Sequence, residues 1–355
     1  MASHDEPVMG PLLQRFQRGE VPALARAISV VEDEREGFQA LLHTLLAAGS
    51  WARRVGFTGP PGAGKSSLLA AVANVYRGRG ERLGVVAVDP TSPYSGGALL
   101  GDRIRMSDLA TDPGVFIRSM ASRGSLGGLA TTTKEVIDVM DAFGFDRVLI
   151  ETVGVGQTEL EITGAADTVV VVLVPESGDG IQTMKAGLME IADIFLVNKA
   201  DRPGAGRLVK EIRQSLHLRT GHAFDPVTAH HGVDLARVAR GDGGNATPEH
   251  DASPSGSAWE IPVLETNALT GEGLSSFIDA IDTHRTWLES SGEIAVRRRA
   301  RARARIQDVV DREVRRAAWT SDAVRTRVET GLDRIQAGQG TPYSVANEIL
   351  AHLLR

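Results

Sequence analysis

The sequence contains no cysteine in 355 residues. That excludes a disulfide scaffold, a thiolate metal site and a thiol nucleophile. Long apolar runs are missing too. The most hydrophobic stretch, TVVVVLV at 168–174, falls far short of the roughly 20 residues that span a bilayer, and mean hydropathy is −0.09. No membrane span is expected. The opening residues, MASHDEPVMG, are acidic and lack an apolar centre, so neither a secretory leader nor an Arg-rich transit peptide is expected and a cytoplasmic location follows. Lysine is scarce: of 39 basic residues only five are Lys, namely Lys65, Lys134, Lys185, Lys199 and Lys210, and 34 are Arg. In such a chain each lysine invites a chemical question. Charge is also uneven. Residues 297–355 hold 13 Arg against seven acids, a net +6, so residues 1–296 carry −12 within a total of −6.

What is present is an alternating pattern. Residues 22–48 place Leu24, Ile28, Val31, Phe38, Leu41, Leu42, Leu45 and Leu46 among charged neighbours, a helical stripe that opens the fold. From residue 54 to about 290, short β-rich runs alternate with helical segments: RVGFTG, GVVAVD, VFIRSM, DRVLIET, DTVVVVLV, DIFLVN and IPVLET. Continuous apolar strands imply burial on both faces, hence an α/β fold with a doubly wound, mostly parallel sheet. The Gly-, Ser- and Pro-rich stretch 241–258 reads as a mobile surface loop. Beyond Gly292 the pattern is helical: 293–318, 321–336, and a third helix with Thr341 as N-cap and Pro342 in its first turn. The expected division is a helical extension at 1–50, a nucleotide-binding domain at 51–291 and a helical arm at 292–355. The Arg-rich helix has no interleaved aromatics and Ala alternates with Arg at 299–305, so it reads as a solvated or subunit-contacting surface, and no nucleic-acid partner is expected.

The strongest motif is GPPGAGKSS, comprising Gly59, Pro60, Pro61, Gly62, Ala63, Gly64, Lys65, Ser66 and Ser67. It fits G-x-x-x-x-G-K-[S/T] between a strand and a helix. Such a loop curls so that backbone N–H groups face a polyphosphate, while Lys65 reaches the terminal phosphates and the Ser66 hydroxyl can ligate Mg²⁺. A second motif, NKAD, follows the strand DIFLVN at the sheet edge where a base would lie. Asn198 can read the N7/O6 edge of guanine, the Lys199 stem can cover the ring, and the Asp201 carboxylate can accept from N1–H and N2–H₂. Adenine lacks that donor pair, so an ATP complex would leave the carboxylate unpaired. The stretch TNALTGEG resembles a G-protein loop in which a backbone N–H meets the guanine O6, with Ala268 at its centre beside Leu269, although Asn267 stands where most relatives carry Ser. Asp89 ends the strand GVVAVD, Asp102 follows SGGALLGD, and Glu151 ends DRVLIE. All three, with Ser66, are metal candidates. Gly154 could offer its N–H to a γ-phosphate.

Through VDPTSPYSGGALLGDRIRM, FIRSMASRGSLGG, ETVGVGQTE, VPESGDGIQTMKAG and NKAD, the chain resembles the MeaB/ArgK family of G proteins over roughly residues 20–355. The resemblance implies a signal-recognition-particle-like G domain with an N-terminal helical extension and a C-terminal dimerisation arm. It further implies binding of GTP/GDP with Mg²⁺, slow hydrolysis, and a chaperone role toward an adenosylcobalamin-dependent acyl-CoA mutase, gating cofactor loading and protecting or rescuing the mutase. By position it gives Lys185 the part of a lysine that swings toward the nucleotide when the partner docks, a role like that of an arginine finger. The catalytic side is incomplete: Val155 follows Gly154 where Ras-like proteins have glutamine, and Gln157 arrives two residues later. Slow turnover, stimulated when a partner reorders 151–160 and 175–186, is expected. The alternative is a metal-insertion GTPase of the hydrogenase or urease maturation type. Those proteins usually hold metal with thiolates or a His-rich tract, and here cysteine is absent and the only adjacent His pair is His230-His231. A third reading, an ATPase or kinase serving transport, conflicts with NKAD.

Overall fold

A computed structural model of the chain describes residues 6–47, 49, 52–89, 107–121, 131–152, 161–175, 187–220 and 258–353. The stretch 241–258 therefore lies outside the described residues but for its last, and the motif residues Asp102, Gly154, Gln157 and Lys185 lie outside them altogether. The chain forms two compact units, Met1–Ala295 and Val296–Arg355.

In the first unit, seven parallel strands form one sheet: β1 (Arg53–Thr58), β2 (Leu83–Asp89), β3 (Val115–Ala121), β4 (Arg147–Thr152), β5 (Thr168–Leu173), β6 (Ile194–Val197) and β7 (Val263–Glu265). Their order is β3-β2-β4-β1-β5-β6-β7, and every neighbouring pair is parallel. All seven runs expected from the sequence are strands. Alternate residues of a strand enter opposite cores: in β5, Val169, Val171 and Leu173 face one side, whereas Val170 and Val172 face the other. That double burial is why these strands read as unbroken Val/Ile/Leu runs. The P-loop helix α4 (Lys65–Gly78) and α9 (Leu274–Ser290) cover the second face. On the first lie α6 (Thr131–Ala142), α8 (Ala205–Thr220) and the N-terminal helices.

The N-terminal region differs from the single helical stripe expected over 22–48. It forms α1 (Glu6–Gln17), α2 (Val21–Glu32) and α3 (Phe38–Leu46). The break falls in the charged run Asp33-Glu34-Arg35-Glu36, where Glu34 has φ 47°; no apolar side chain there can continue the stripe. Phe16 of α1 is buried edge-on against Phe143, with ring centroids 5.1 Å apart. Short helices α5 (Ser107–Ala110) and α7 (Leu188–Ile191) complete this unit.

At the far edge of the second face, Arg147 lies over the Tyr76 ring at 3.6 Å. Asp282 of α9 gathers Tyr76 Oη at 3.2 Å, Arg79 Nη1 at 2.7 Å and Arg147 Nη2 at 2.9 Å. Burial pushes the Asp282 carboxyl upward, but the hydrogen bond from Arg79 and the charge of Arg147 outweigh it and hold the group below the ordinary aspartate value. A carboxyl lowered by folding stabilises the fold above its unfolded pKa, and that stability is lost as pH falls through the folded value. Asp282→Asn should therefore lower unfolding free energy at pH 7 by about 1–2 kcal/mol. The gap to wild type should close as denaturant titrations are repeated at acid pH; a gap independent of pH would refute this account.

In the second unit, α10 (Glu293–Thr320) enters from the first and is followed by α11 (Asp322–Gln336) and α12 (Pro342–Leu353). Ser321 caps α11 through Val324 N–H. Thr341 and Ser344 cap α12 reciprocally, Ser344 N–H donating to Thr341 Oγ1 at 3.1 Å and Thr341 N–H to Ser344 Oγ at 3.0 Å. Val324, Val345 and Ile349 make a small core.

Candidate nucleotide-binding site

Because every strand runs the same way, the C-terminal ends of β1, β4, β6 and β7 lie at one edge of the sheet, beside the central strand where the order reverses. Residues 59–64 leave β1 and lead into α4, which begins at Lys65. Lys65 Nζ donates to Gly59 O at 2.8 Å and Pro60 O at 3.0 Å. Ser66 Oγ donates to Glu151 Oε1 at 2.7 Å, and both residues are buried. This pair joins the start of α4 to the end of β4, placing a hydroxyl and a carboxylate side by side. Asp89 closes β2 as expected; its side chain is outside the described residues. Behind the loop, Thr152 Oγ1 donates to Thr58 Oγ1 at 3.0 Å across β4 and β1. Sequence reading passes over this pair, since isolated threonines in apolar strands carry no motif.

NKAD leaves β6. Asn198 is buried; its Nδ2 donates to Ala63 O at 2.8 Å and its Oδ1 accepts from Ala268 N–H at 3.1 Å. One side chain thus ties the phosphate loop to the loop after β7. Lys199, with φ 57°, is one of two non-glycine residues at positive φ among the described residues, and its Nζ donates to Gly62 O at 2.9 Å. Such a conformation persists only where surroundings enforce it; here the chain must turn to send Asn198 and Lys199 to the P-loop and Asp201 toward Asn267. Asn267 Nδ2 donates to Asp201 Oδ1 at 2.8 Å. Asn267 Oδ1 accepts from Leu269 N–H at 3.0 Å and Thr270 N–H at 3.3 Å, and Thr266 Oγ1 donates to Glu272 O at 2.7 Å. Leu269 is 88% exposed, so its side chain takes no part in this core.

The structure therefore brings Gly59–Ser67, Glu151, Asn198, Lys199, Asp201, Asn267 and Ala268 to one edge. Lys65 and Lys199 both meet carbonyls of the phosphate loop, whereas Lys210 is exposed and Lys134 half-buried. Among the described residues no group of three or more His, Cys, Asp or Glu is placed to hold a metal ion. The donors that are present, a hydroxyl and a carboxylate oxygen, are hard ligands of the type Mg²⁺ takes together with water and substrate phosphates, so the pair fits that ion.

A parallel sheet with this loop after its central strand defines a P-loop nucleotide-binding protein. The chain belongs to the MeaB family: the family model described as methylmalonyl Co-A mutase-associated GTPase MeaB matches residues 24–323. A protein of Pyrococcus abyssi named as a GTPase is 42% identical over 343 residues, covering 97% of this chain and 96% of its own. The mitochondrial methylmalonic aciduria type A homolog of Mus musculus is 30% identical over 347 residues, covering 94% and 76%. The crystal structure of a LAO/AO transport system kinase shares the fold, with a TM-score of 0.65 at 24% identity and full coverage of both chains. The protein is a GTPase of this family and binds GTP and GDP.

Proposed function

We propose that this GTPase is a chaperone of a cobalamin-dependent acyl-CoA mutase, methylmalonyl-CoA mutase or a close relative, gating adenosylcobalamin loading and protecting or reactivating the enzyme. The observation that carries the reading is the family match across residues 24–323, whose description names the mutase. The division into a helical extension at 1–50, a GTPase domain at 51–291 and a dimerisation arm at 292–355 belongs to it. A homodimer is supported by the apolar residues Ile306, Val310 and Val314, which recur at helical spacing along α10 and are exposed in the single chain. No helix among the described residues is long and apolar enough to cross a membrane. The protein is read as acting in the cytoplasm, without a membrane or nucleic-acid partner.

In this reading residues 59–67 cradle the phosphates, Lys65 moves from loop carbonyls to phosphate oxygens, and Gly154 donates to the γ-phosphate. Asn198, Lys199 and Asp201 read guanine, with the Ala268 N–H at O6 and Asn267 and Leu269 flanking it. Ser66 and Glu151 would hold Mg²⁺, with Asp89 and Asp102 as the further candidate oxygen ligands; the ion would offset charge on the terminal phosphates. Gln157 orients water poorly from its displaced position, so hydrolysis is slow alone, and Lys185 supplies charge when the partner docks.

The decisive experiment is co-purification with candidate mutases in a non-hydrolysable GTP analogue, followed by single-turnover hydrolysis with and without the mutase. Binding that depends on the analogue, with hydrolysis raised at least about tenfold by the mutase and not in Lys185→Ala, is expected. Stimulation undiminished in Lys185→Ala removes the catalytic role of that lysine, and no mutase capture in either nucleotide state removes the chaperone reading.

A further inference from the structure

We propose that Asn267 is a positioning residue for guanine selectivity: its side-chain amide holds the Asp201 carboxylate in the orientation that reads the base. This rests on the assignment of Asp201 to guanine and deepens it by naming what fixes that carboxylate.

Asp201, the last residue of NKAD, is exposed, and its carboxylate would otherwise rotate about two torsions in water. Asn267 removes that freedom. It is buried at the start of the loop after β7, and the loop holds its backbone on both sides: Asn267 N–H donates to Glu272 O at 3.0 Å, and Gly271 N–H donates to Asn267 O at 2.9 Å. Its amide has one orientation open to it. The Leu269 and Thr270 N–H groups can face only an acceptor, so Oδ1 takes them and Nδ2 is turned to Asp201 Oδ1. An amide flip would set donor against donor on one side and oxygen against carboxylate on the other.

The bond does not use up the carboxylate. Two oxygens offer about four lone-pair directions, so one can be spent on Asn267 while others accept N1–H and N2–H₂. Such fixing lowers the ordering cost at binding and makes the selectivity geometric. Asn267 also sits one residue before Ala268, whose N–H meets Asn198 Oδ1. A single side chain thereby sets the spacing between the carboxylate and the loop's own backbone donor.

The test compares GDP with IDP, whose base lacks the 2-amino group and so has one donor fewer for Asp201. Asn267→Asp keeps an oxygen for the Leu269 and Thr270 N–H groups, and hence the loop, but opposes a second carboxylate to Asp201. We expect the GDP-over-IDP preference to shrink by about tenfold, with IDP affinity itself changing less than about threefold. Retained IDP binding shows in the same titration that the variant is folded. Asn267→Ala, which removes the donor without adding charge, should compress the ratio in the same direction. If GDP and IDP weaken equally in both variants, Asn267 only supports the loop and the proposal falls. If Asp201→Asn abolishes the preference while both Asn267 variants keep it, base reading stands and the clamp is refuted. A preference untouched by Asp201→Asn overturns the base assignment and the clamp together.

Discussion

Replacing Asp201 by asparagine is expected to turn a guanine site toward xanthine, with the largest single change in nucleotide selectivity available to this chain. The carboxylate accepts two hydrogen bonds in the proposed geometry, and bonds to a charged group contribute about 1.5–3 kcal/mol each. An amide keeps one acceptor. Its Nδ2 then meets the 2-amino group donor to donor, and a buried donor left unmatched adds its desolvation cost. GTP affinity should fall by about a hundredfold or more, while xanthosine triphosphate, which offers a carbonyl at that position, should gain. Asn267 strengthens the expectation. Its Nδ2 needs an acceptor at 2.8 Å, so the variant amide is driven to present oxygen to Asn267 and nitrogen to the base. Equilibrium titration with fluorescent GDP, competed by guanosine, inosine and xanthosine nucleotides, measures the ratios directly. Unchanged selectivity would sink the assignment.

Selectivity of this kind was legible only in part. NKAD reads as a guanine site because Asn198 and Asp201, separated by Lys-Ala, are placed by one turn at the end of one strand, and short-range spacing survives in the sequence. The contact that holds Asp201 spans 66 positions. No periodicity links β6 to the loop after β7, and the departure from Ser at Asn267 could be seen without its consequence. The strands were legible for a different reason. Val169 to Val172 alternate between two cores, so both faces demanded apolar residues and the run needed no partner to be recognised. Helix α1 was not legible, because Pro11 sits inside it and Leu12, Leu13 and Phe16 form too short an apolar set to stand out; they become a helix face by packing against the core. The cap of α12 was visible because it is local chemistry, Thr341 satisfying an N–H three residues on; the cap of α11 at Ser321, which lies inside the helix expected over 321–336, emerged only from the structure.

The glycines of the phosphate loop look alike in the motif yet should behave very differently on substitution. Gly59 has φ +131°, and a Cβ built there would stand 2.1 Å from Val172 O. That oxygen belongs to a central strand paired with β1 on one side and β6 on the other, so it cannot retreat without breaking the sheet. Gly62 has φ +76° with nothing within 4 Å of the added atom. Its substitution carries only the conformational cost of a left-handed residue, about 1–2 kcal/mol. Gly59→Ala adds a backbone collision that only movement of the loop relieves, and such movement drags the carbonyls of Gly59 and Pro60 that hold Lys65. Nucleotide affinity should therefore drop by about a hundredfold or more in Gly59→Ala, since positioning errors near 1 Å carry penalties of that order. In Gly62→Ala it should drop by about tenfold or less. Measuring both variants by the same fluorescent-nucleotide titration, alongside thermal unfolding to confirm folding, separates collision from conformational strain. Equal losses would show that the approach to Val172 does not govern the loop.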